Sequence, residues 1–486
     1  MGTVAFARDI GTIRNQVGAR AHDLIRAHLF PIILEGAVSS LKEPKDMLPS
    51  AEKVRDQMRI AGVENARVIQ HGECYPSVFG EINSDVPNAP TILIGGHYDG
   101  QPSEAHKWNI TEPHVPKIVV GSSGEHRVFG RGTSDDWGQV LTHLMAVKMI
   151  RDLGTALPVN LKFLIEGGEE KGSPDMDKFV VDHKDLLKCD LVILTDSAPG
   201  REDFPVITTS ARGIVGAIVT VKFGNNSPHS GDSLVPSAVE VLSSILSLRD
   251  LRTMRVEIPG FYDDVRILPD AERAKIIVMP FDAELFVRNY GLSQLFPVDG
   301  YTNQETMWTQ PSYAWHTLLD SHEHKKGLAM VNKLPTEAMA YVTMRLVPNQ
   351  KPDKIFELFK AEVYRRLAVN TGFGPEAVTI ESEGLAHPFS IDTTGPYFDA
   401  VAASMSQAFG VKEVDFAGCG GTEPIAMYYQ TILGVPVVFN AYNSPSDHYH
   451  GDNESFSIET GFEPGIVANI LMYQKLWELR NPTAEL

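Results

Sequence analysis

Apolar residues recur along this chain in two rhythms that alternate. TILIGGHYDG (91–100), VNLKFLIEGG (159–168) and DLVILTDSAPG (190–200) are short apolar runs that end in acid, histidine or glycine, the pattern of buried strands. WGQVLTHLMAVKMIRDLG (137–154) instead sets apolar residues at helical spacing and stops at a glycine. Strands alternating with helices predict an α/β sheet with parallel strands, in which ligands bind beyond the carboxyl ends. After TTSARG (208–213) the rhythm changes. IVGAIVTVKFG (214–224) is β-prone, PSAVEVLSSILSLRDL (236–251) is helical, EAMAYVTMRLVP (337–348) is a strand, and KPDKIFELFKAEVYRRLA (351–368) is an amphipathic helix. A long irregular section separates the first helix from the second strand. From about residue 385 the first rhythm returns: YFDAVAASMSQAFG reads as helix, VPVVFN (435–440) as strand and PGIVANILMYQKLWEL as a closing helix. The pattern predicts an α/β domain formed by 1–207 and 385–486, with a smaller α+β domain, 208–384, inserted in it.

Composition narrows the partners. A chain of 486 residues with 43% hydrophobic and 22% charged residues suits a large globular protein. The net charge of −19, from 43 basic and 62 acidic residues, argues against nucleic acid or an anionic membrane as partner. Cys74, Cys189 and Cys419 are too scattered for a disulfide framework or a thiolate metal site. With no signal-peptide pattern at the start and no apolar run near the ~18 residues of a membrane span, the expected location is the cytoplasm.

Acid and histidine collect where the strands end. HYD supplies His97 and Asp99, GRGTSDDWG supplies Asp135 and Asp136, EGGEE supplies Glu169 and Glu170, LTD supplies Asp196, and SDHYHGDNE supplies His448, His450 and Glu454. Each alone has an ordinary explanation: a strand-end acid is usually solvated or caps the next helix. Five such sites together imply something positive among them, because crowded carboxylates that lose hydration are costly otherwise. Two divalent metal ions account for the set, since imidazole and carboxylate suit hard and borderline cations. A His-x-Asp pair fits a ligand whose second ring nitrogen is held by an acid. In Glu-Glu, one carboxylate can bind metal while its neighbour takes a proton from an activated water. Glu166 reads as a structural strand-end residue, and Asp136 as structural too.

The ordered series HYD, GRGTSDD, EGGEE, LTD and YHGDNE resembles the M20 family of metallopeptidases, in particular the dipeptidases related to carnosinase. The resemblance extends into the inserted segment through NSPHSGD, IPGFYDD, NKLP and RLVPN. It implies a phosphorylase/hydrolase-like α/β catalytic domain with an inserted lid that also forms a homodimer. It further implies that His97 and Asp196 bind one metal, Glu170 and His450 the other, and Asp135 bridges them. Asp99 would orient His97, Glu169 would be the general base, and a cis peptide would fall between Asp135 and Asp136. The spacing H-x-x-N-E at 450–454 favours His450 over His448 as the ligand. His229 resembles a lid histidine that reaches the partner subunit's site and stabilises the oxyanion. Arg345 resembles an arginine that clamps a substrate carboxylate, and Asn332, Gly421 and Thr422 are further substrate contacts. The ions implied are zinc, with manganese or cobalt fitting the same donors.

The reaction implied is hydrolysis of the amide bond of a dipeptide or similar small substrate through a metal-bridging water. The glycine-rich AGCGGTEPIA (417–426) departs from the family pattern at Gly418, Cys419 and Glu423, and Trp137 stands where many relatives have lysine. These departures concern the substrate, so an N-acyl amino acid amidohydrolase or a deaminase acting on the same metals is the alternative. A non-catalytic scaffold keeping the fold would lack bound divalent ions.

Overall fold

The structure is a computed structural model, and it describes residues 6, 9–72, 74–121, 124–197, 201, 204–232, 234–279, 281, 283–320 and 332–482. The fold is mixed α/β, built on several sheets. The chain divides into two compact units: Met1–Thr209 with Ile391–Cys419 and Ile425–Leu486, and Ser210–Ser390 with Gly420–Pro424. Among the described residues no helix is long and apolar enough to cross a membrane, and none of the three cysteines is in a disulfide.

At the centre of the first unit, strand Thr91–His97 pairs in parallel with Asn160–Glu166 on one side and Leu191–Leu194 on the other. Val437–Phe439 continues the parallel set beyond Leu191–Leu194. The expectation of parallel strands does not hold at the opposite edge. There Ser77–Ile82 runs antiparallel to Asn160–Glu166, and Arg67–Ile69 antiparallel to Ser77–Ile82. The reason is two short links, 70–76 and 83–90: neither can hold the dozen or more residues a parallel return needs, so Ser77–Ile82 runs against both Arg67–Ile69 and the parallel set that begins at Thr91.

Helix Trp137–Asp152 lies against this sheet and against the closing helix Glu463–Arg480. It is buried around almost its whole circumference, as expected of a helix with apolar residues on every side. Among its buried polar residues, Gln139 donates to Ser134 O at 2.9 Å and accepts from Tyr442 N–H at 2.7 Å. That pairing ties the helix to the loop that carries Asp135.

In the second unit, strands Ser312–Asp320, Glu337–Leu346, Gly213–Lys222 and Val378–Ala386 form, in that order, an antiparallel sheet. Glu337–Leu346 alternates strictly between buried and half-buried residues, so one face meets helices Ala238–Leu246 and Pro352–Thr371. The run predicted as helix over 236–251 stops at Leu246. Ser247 leaves the helical region at φ −73°, ψ 64°, and Arg249 pairs instead with Val256. The section read as irregular contains helices Asp270–Ile277, Ala283–Tyr290 and Asn303–Thr309 and the strand from Ser312. These helices are one or two turns long, below the length at which apolar periodicity shows.

Candidate metal centre

The register of the parallel strands gathers the acids. His97 closes its strand opposite Glu166, and Gly95 lies opposite Leu194. The chain leaving Glu166 therefore presents Glu169 and Glu170, and the chain leaving Leu194 presents Asp196, on the rim where His97 sits. Loop 130–136 brings Asp135 to the same rim, and the peptide between Asp135 and Asp136 is cis.

His97 is fully buried, with its Nδ1 3.0 Å from the carbonyl oxygen of Asp99. A carbonyl only accepts, so Nδ1 carries the proton and Nε2 faces the other way. Nε2 lies 2.9 Å from Asp135 Oδ1, 3.5 Å from Asp196 Oδ2 and 4.0 Å from Glu169 Oε2. On the other side of Asp135, His450 Nε2 lies 2.9 Å from Oδ2 and 3.2 Å from Glu170 Oε2. Each oxygen of Asp135 thus meets a different imidazole. Two donor groups result: His97, Glu169 and Asp196, and Asp135, Glu170 and His450, each with ligand atoms within 4.8 Å of one another.

These residues fit a pair of divalent cations. Glu170 Oε1 is buried without a hydrogen-bond partner, an arrangement that is costly unless a cation meets it. The field also favours positive charge. Burial lowers the pKa of both imidazoles, yet hydrogen bonds to Asp135 and Asp196 raise His97 well above the ordinary range, and those to Asp135 and Glu170 raise His450 to about 11. Asp135 is buried, which would raise it, but His450 and His97 hold it well below the usual carboxylate range. Burial raises Glu170.

The surrounding contacts fix these ligands in place. The carboxylate of Asp99 accepts from the N–H groups of Glu169 and Glu170, both at 3.2 Å. Asp99 therefore faces His97 Nδ1 with its carbonyl at 3.0 Å and its carboxylate at 3.4 Å, while the same carboxylate also holds the acid pair. Asp136 is buried and accepts from His97 N–H at 3.1 Å and Thr195 Oγ1 at 2.6 Å. Glu454, fully buried, accepts from Arg131 Nη1 at 2.8 Å and from the N–H groups of Gly132, Ser134 and Asp135 at 3.1, 2.9 and 3.1 Å. Arg131 Nη2 donates in turn to Gly451 O at 2.9 Å, so one buried ion pair spans the loops of Asp135 and His450. Asp447 accepts from Ser134 Oγ at 2.8 Å and from Arg127. Glu454 was visible in the sequence only as one acid of YHGDNE; its spacing from His450 carries the signal, while its role depends on contacts far along the chain. Glu166 accepts from Ser173 Oγ at 3.1 Å, and burial pushes its carboxyl up to about 8. His448 is exposed in a left-handed backbone conformation (φ 54°) and joins neither donor group.

The remaining predicted residues lie in the second unit, in two places. Arg345 Nη1 donates to Thr422 Oγ1 at 2.7 Å, and Gly421 O accepts from Arg212 N–H at 2.8 Å. His229 is exposed, with Nδ1 accepting from Gly231 N–H at 3.1 Å; the next residue, Ser230, donates its N–H to Asn332 O at 3.0 Å.

The model of Peptidase family M20/M25/M40 matches residues 93–475, a span that holds every residue of both donor groups. The chain belongs to this family. Among curated proteins it is 27% identical over 390 residues to the Beta-Ala-His dipeptidase of Mus musculus, covering 79% of this chain and 76% of that protein. It is 24% identical over 391 residues to the Cys-Gly metallodipeptidase dug1 of Schizosaccharomyces pombe, covering 79% of each. The solved structure of the di-peptidase Dug1p from Saccharomyces cerevisiae shares the fold, with a TM-score of 0.81 at 22% identity over 97% of this chain and 99% of that one.

Proposed function

We propose that this M20 protein is a metal-dependent dipeptidase that hydrolyses the peptide bond of a dipeptide. The observation that carries the proposal is the Asp135 carboxylate, each of whose oxygens meets the imidazole of a different donor group. His97 and Asp196 would hold one divalent ion, Glu170 and His450 a second, with Asp135 shared. Divalent ions bound there supply Lewis acidity, acidifying water and polarising a scissile carbonyl. Zinc is the ion these donors suit best, with manganese or cobalt as substitutes.

Glu169 is the proton carrier in this reading. It takes a proton from the attacking water and returns it to the leaving amine. Asp99 fixes it by accepting its backbone N–H, and through the neighbouring N–H fixes Glu170 as well. Arg345 is the planar donor proposed for a substrate carboxylate, with Gly421, Thr422 and Asn332 as further contacts and His229 as the oxyanion donor. A homodimer through the second unit belongs to the same proposal, supported by the exposed Leu318 and Leu319 on strand Ser312–Asp320. A cytoplasmic location is supported by three cysteines outside any disulfide.

The test is Glu169→Gln. Its kcat on dipeptides should fall by ~10²–10⁴-fold while bound metal stays at the parent level. Parent-like hydrolysis with the metals retained would sink the mechanism. Ammonia release from an aryl amine, in place of dipeptide cleavage, would sink the substrate class.

A further inference from the structure

Outside the proposed catalytic centre, the first unit carries a third group of metal-type donors. His22, His126 and Glu459 offer ligand atoms within 4.8 Å of one another. They come from three separate elements: helix Ala21–Leu24, the first residue of strand His126–Phe129, and the turn Ile458–Phe462. The strand pairing Ser457↔Arg127 sets Glu459 beside His126. Glu459 grips His126 twice, accepting the backbone N–H on Oε2 at 2.8 Å and facing the imidazole Nδ1 with Oε1 at 2.6 Å. The ring of His22 stands edge-on to that of His126 with centroids 4.6 Å apart.

The backbones behind these side chains are anchored. Leu24, Ile25, Ile458 and Phe462 are core residues, so the three donors sit on elements that packing holds. Both imidazoles are half-buried and Glu459 is exposed, which leaves a path for an ion from solvent. Glu459 also lines a cavity of about 330 Å³ shared with Glu463 and Arg14. Two imidazoles and one carboxylate form a mixed nitrogen and oxygen set of the kind zinc takes with water in its fourth position. Calcium and magnesium favour all-oxygen donors and are disfavoured here.

We propose that His22, His126 and Glu459 form a further zinc-type site, distinct from the catalytic centre, that clasps the N-terminal helices to strand His126–Phe129 and the turn before the closing helix. Binding releases to solvent the proton shared between His126 Nδ1 and Glu459 Oε1 and puts the ion in its place, with a ring nitrogen of His22 already within 4.8 Å of the other two donor atoms.

The experiment counts ions instead of turnover, so it is independent of the dipeptidase reading. The full chain is equilibrated with zinc chloride at micromolar free zinc, and bound zinc is measured by mass spectrometry. The H22A/H126A variant should hold one equivalent fewer than the parent. In a background carrying H97A/H450A, one equivalent should remain and disappear when H22A/H126A is added. Glu459→Gln keeps an acceptor for the His126 N–H and so preserves the fold; it should weaken this equivalent at least tenfold. Equal zinc content in the parent and H22A/H126A, or an unchanged affinity in Glu459→Gln, would overturn the site.

Discussion

At the scale of single residues, two buried acids outside the ligand set show how position decides the role of a carboxylate. Glu454 neutralises Arg131 and takes three backbone N–H groups of the loop that carries Asp135. Removing one partner of a buried ion pair leaves an uncompensated charge, which costs about 3 kcal/mol or more. Glu454→Ala should therefore lower stability by that order in urea denaturation and lose bound metal together with it, because Asp135 and His450 lose a common anchor. Glu166 behaves differently. Folded, it titrates near 8; its ordinary value is 4.5. Between these values the folded protein keeps a proton that the unfolded chain releases, so this group makes stability fall as pH rises from about 4.5 to 8. Glu166→Gln retains an acceptor for Ser173 and should flatten that decline by a few kcal/mol, read from denaturation midpoints across the window. An unchanged pH slope would show that Glu166 is already ionised in the folded state. Legibility follows the same division. His97, Glu169, Glu170 and Asp196 stand at or just past strand ends, and Asp135 and His450 stand in loops marked by their motif spacing, whereas the partner of Glu454 is Arg131, 323 residues away, and no local pattern encodes it.

At the scale of elements, the parallel strands were legible as apolar runs that end in polar residues, and the long helices by their periodicity. Thr91–His97, Asn160–Glu166 and Trp137–Asp152 fall where the apolar rhythm puts them. The antiparallel edge was not, because direction is set by the link between strands and not by the strands themselves. The capping box of Asn303–Thr309, Thr302 with Glu305, was a readable signal within a section otherwise without periodicity. One junction between elements is tight enough to predict from. A Cβ on Gly138, in the first turn of helix Trp137–Asp152, would stand 1.8 Å from Thr133 O. An exposed helical glycine gains ~1 kcal/mol on replacement by alanine. Here the loop of Asp135 must shift, so Gly138→Ala should instead destabilise by about 2 kcal/mol and reduce metal retention. A rise in the thermal midpoint would show that the loop yields without cost.

At the scale of the whole molecule, metal and stability are linked. The chain carries a net charge of −19, and within the first unit Asp99, Asp135, Glu169, Glu170 and Asp196 converge on two imidazoles. Without cations that unit must hold this negative charge by protonating His97 and His450, the direction in which both are already driven. A ligand that binds only the folded state stabilises it by about 2.7 kcal/mol when present at 100 times its Kd. For a unit of this size each kcal/mol moves the thermal midpoint by roughly 2 °C. Chelating both catalytic ions, each present at 100 times its Kd, should therefore lower the midpoint of the first unit by about 10 °C, and zinc should restore it. The second unit has its own core on the sheet Ser312–Asp320, Glu337–Leu346, Gly213–Lys222 and Val378–Ala386, and all six residues of the two donor groups lie outside it. Calorimetry with and without chelator reads the effect directly. In H97A/H450A the response should shrink, because the variant has lost the nitrogen donors while keeping the fold that the sheet and the helix Trp137–Asp152 define. A response of parental size in that variant would mean that the stabilising ions bind elsewhere.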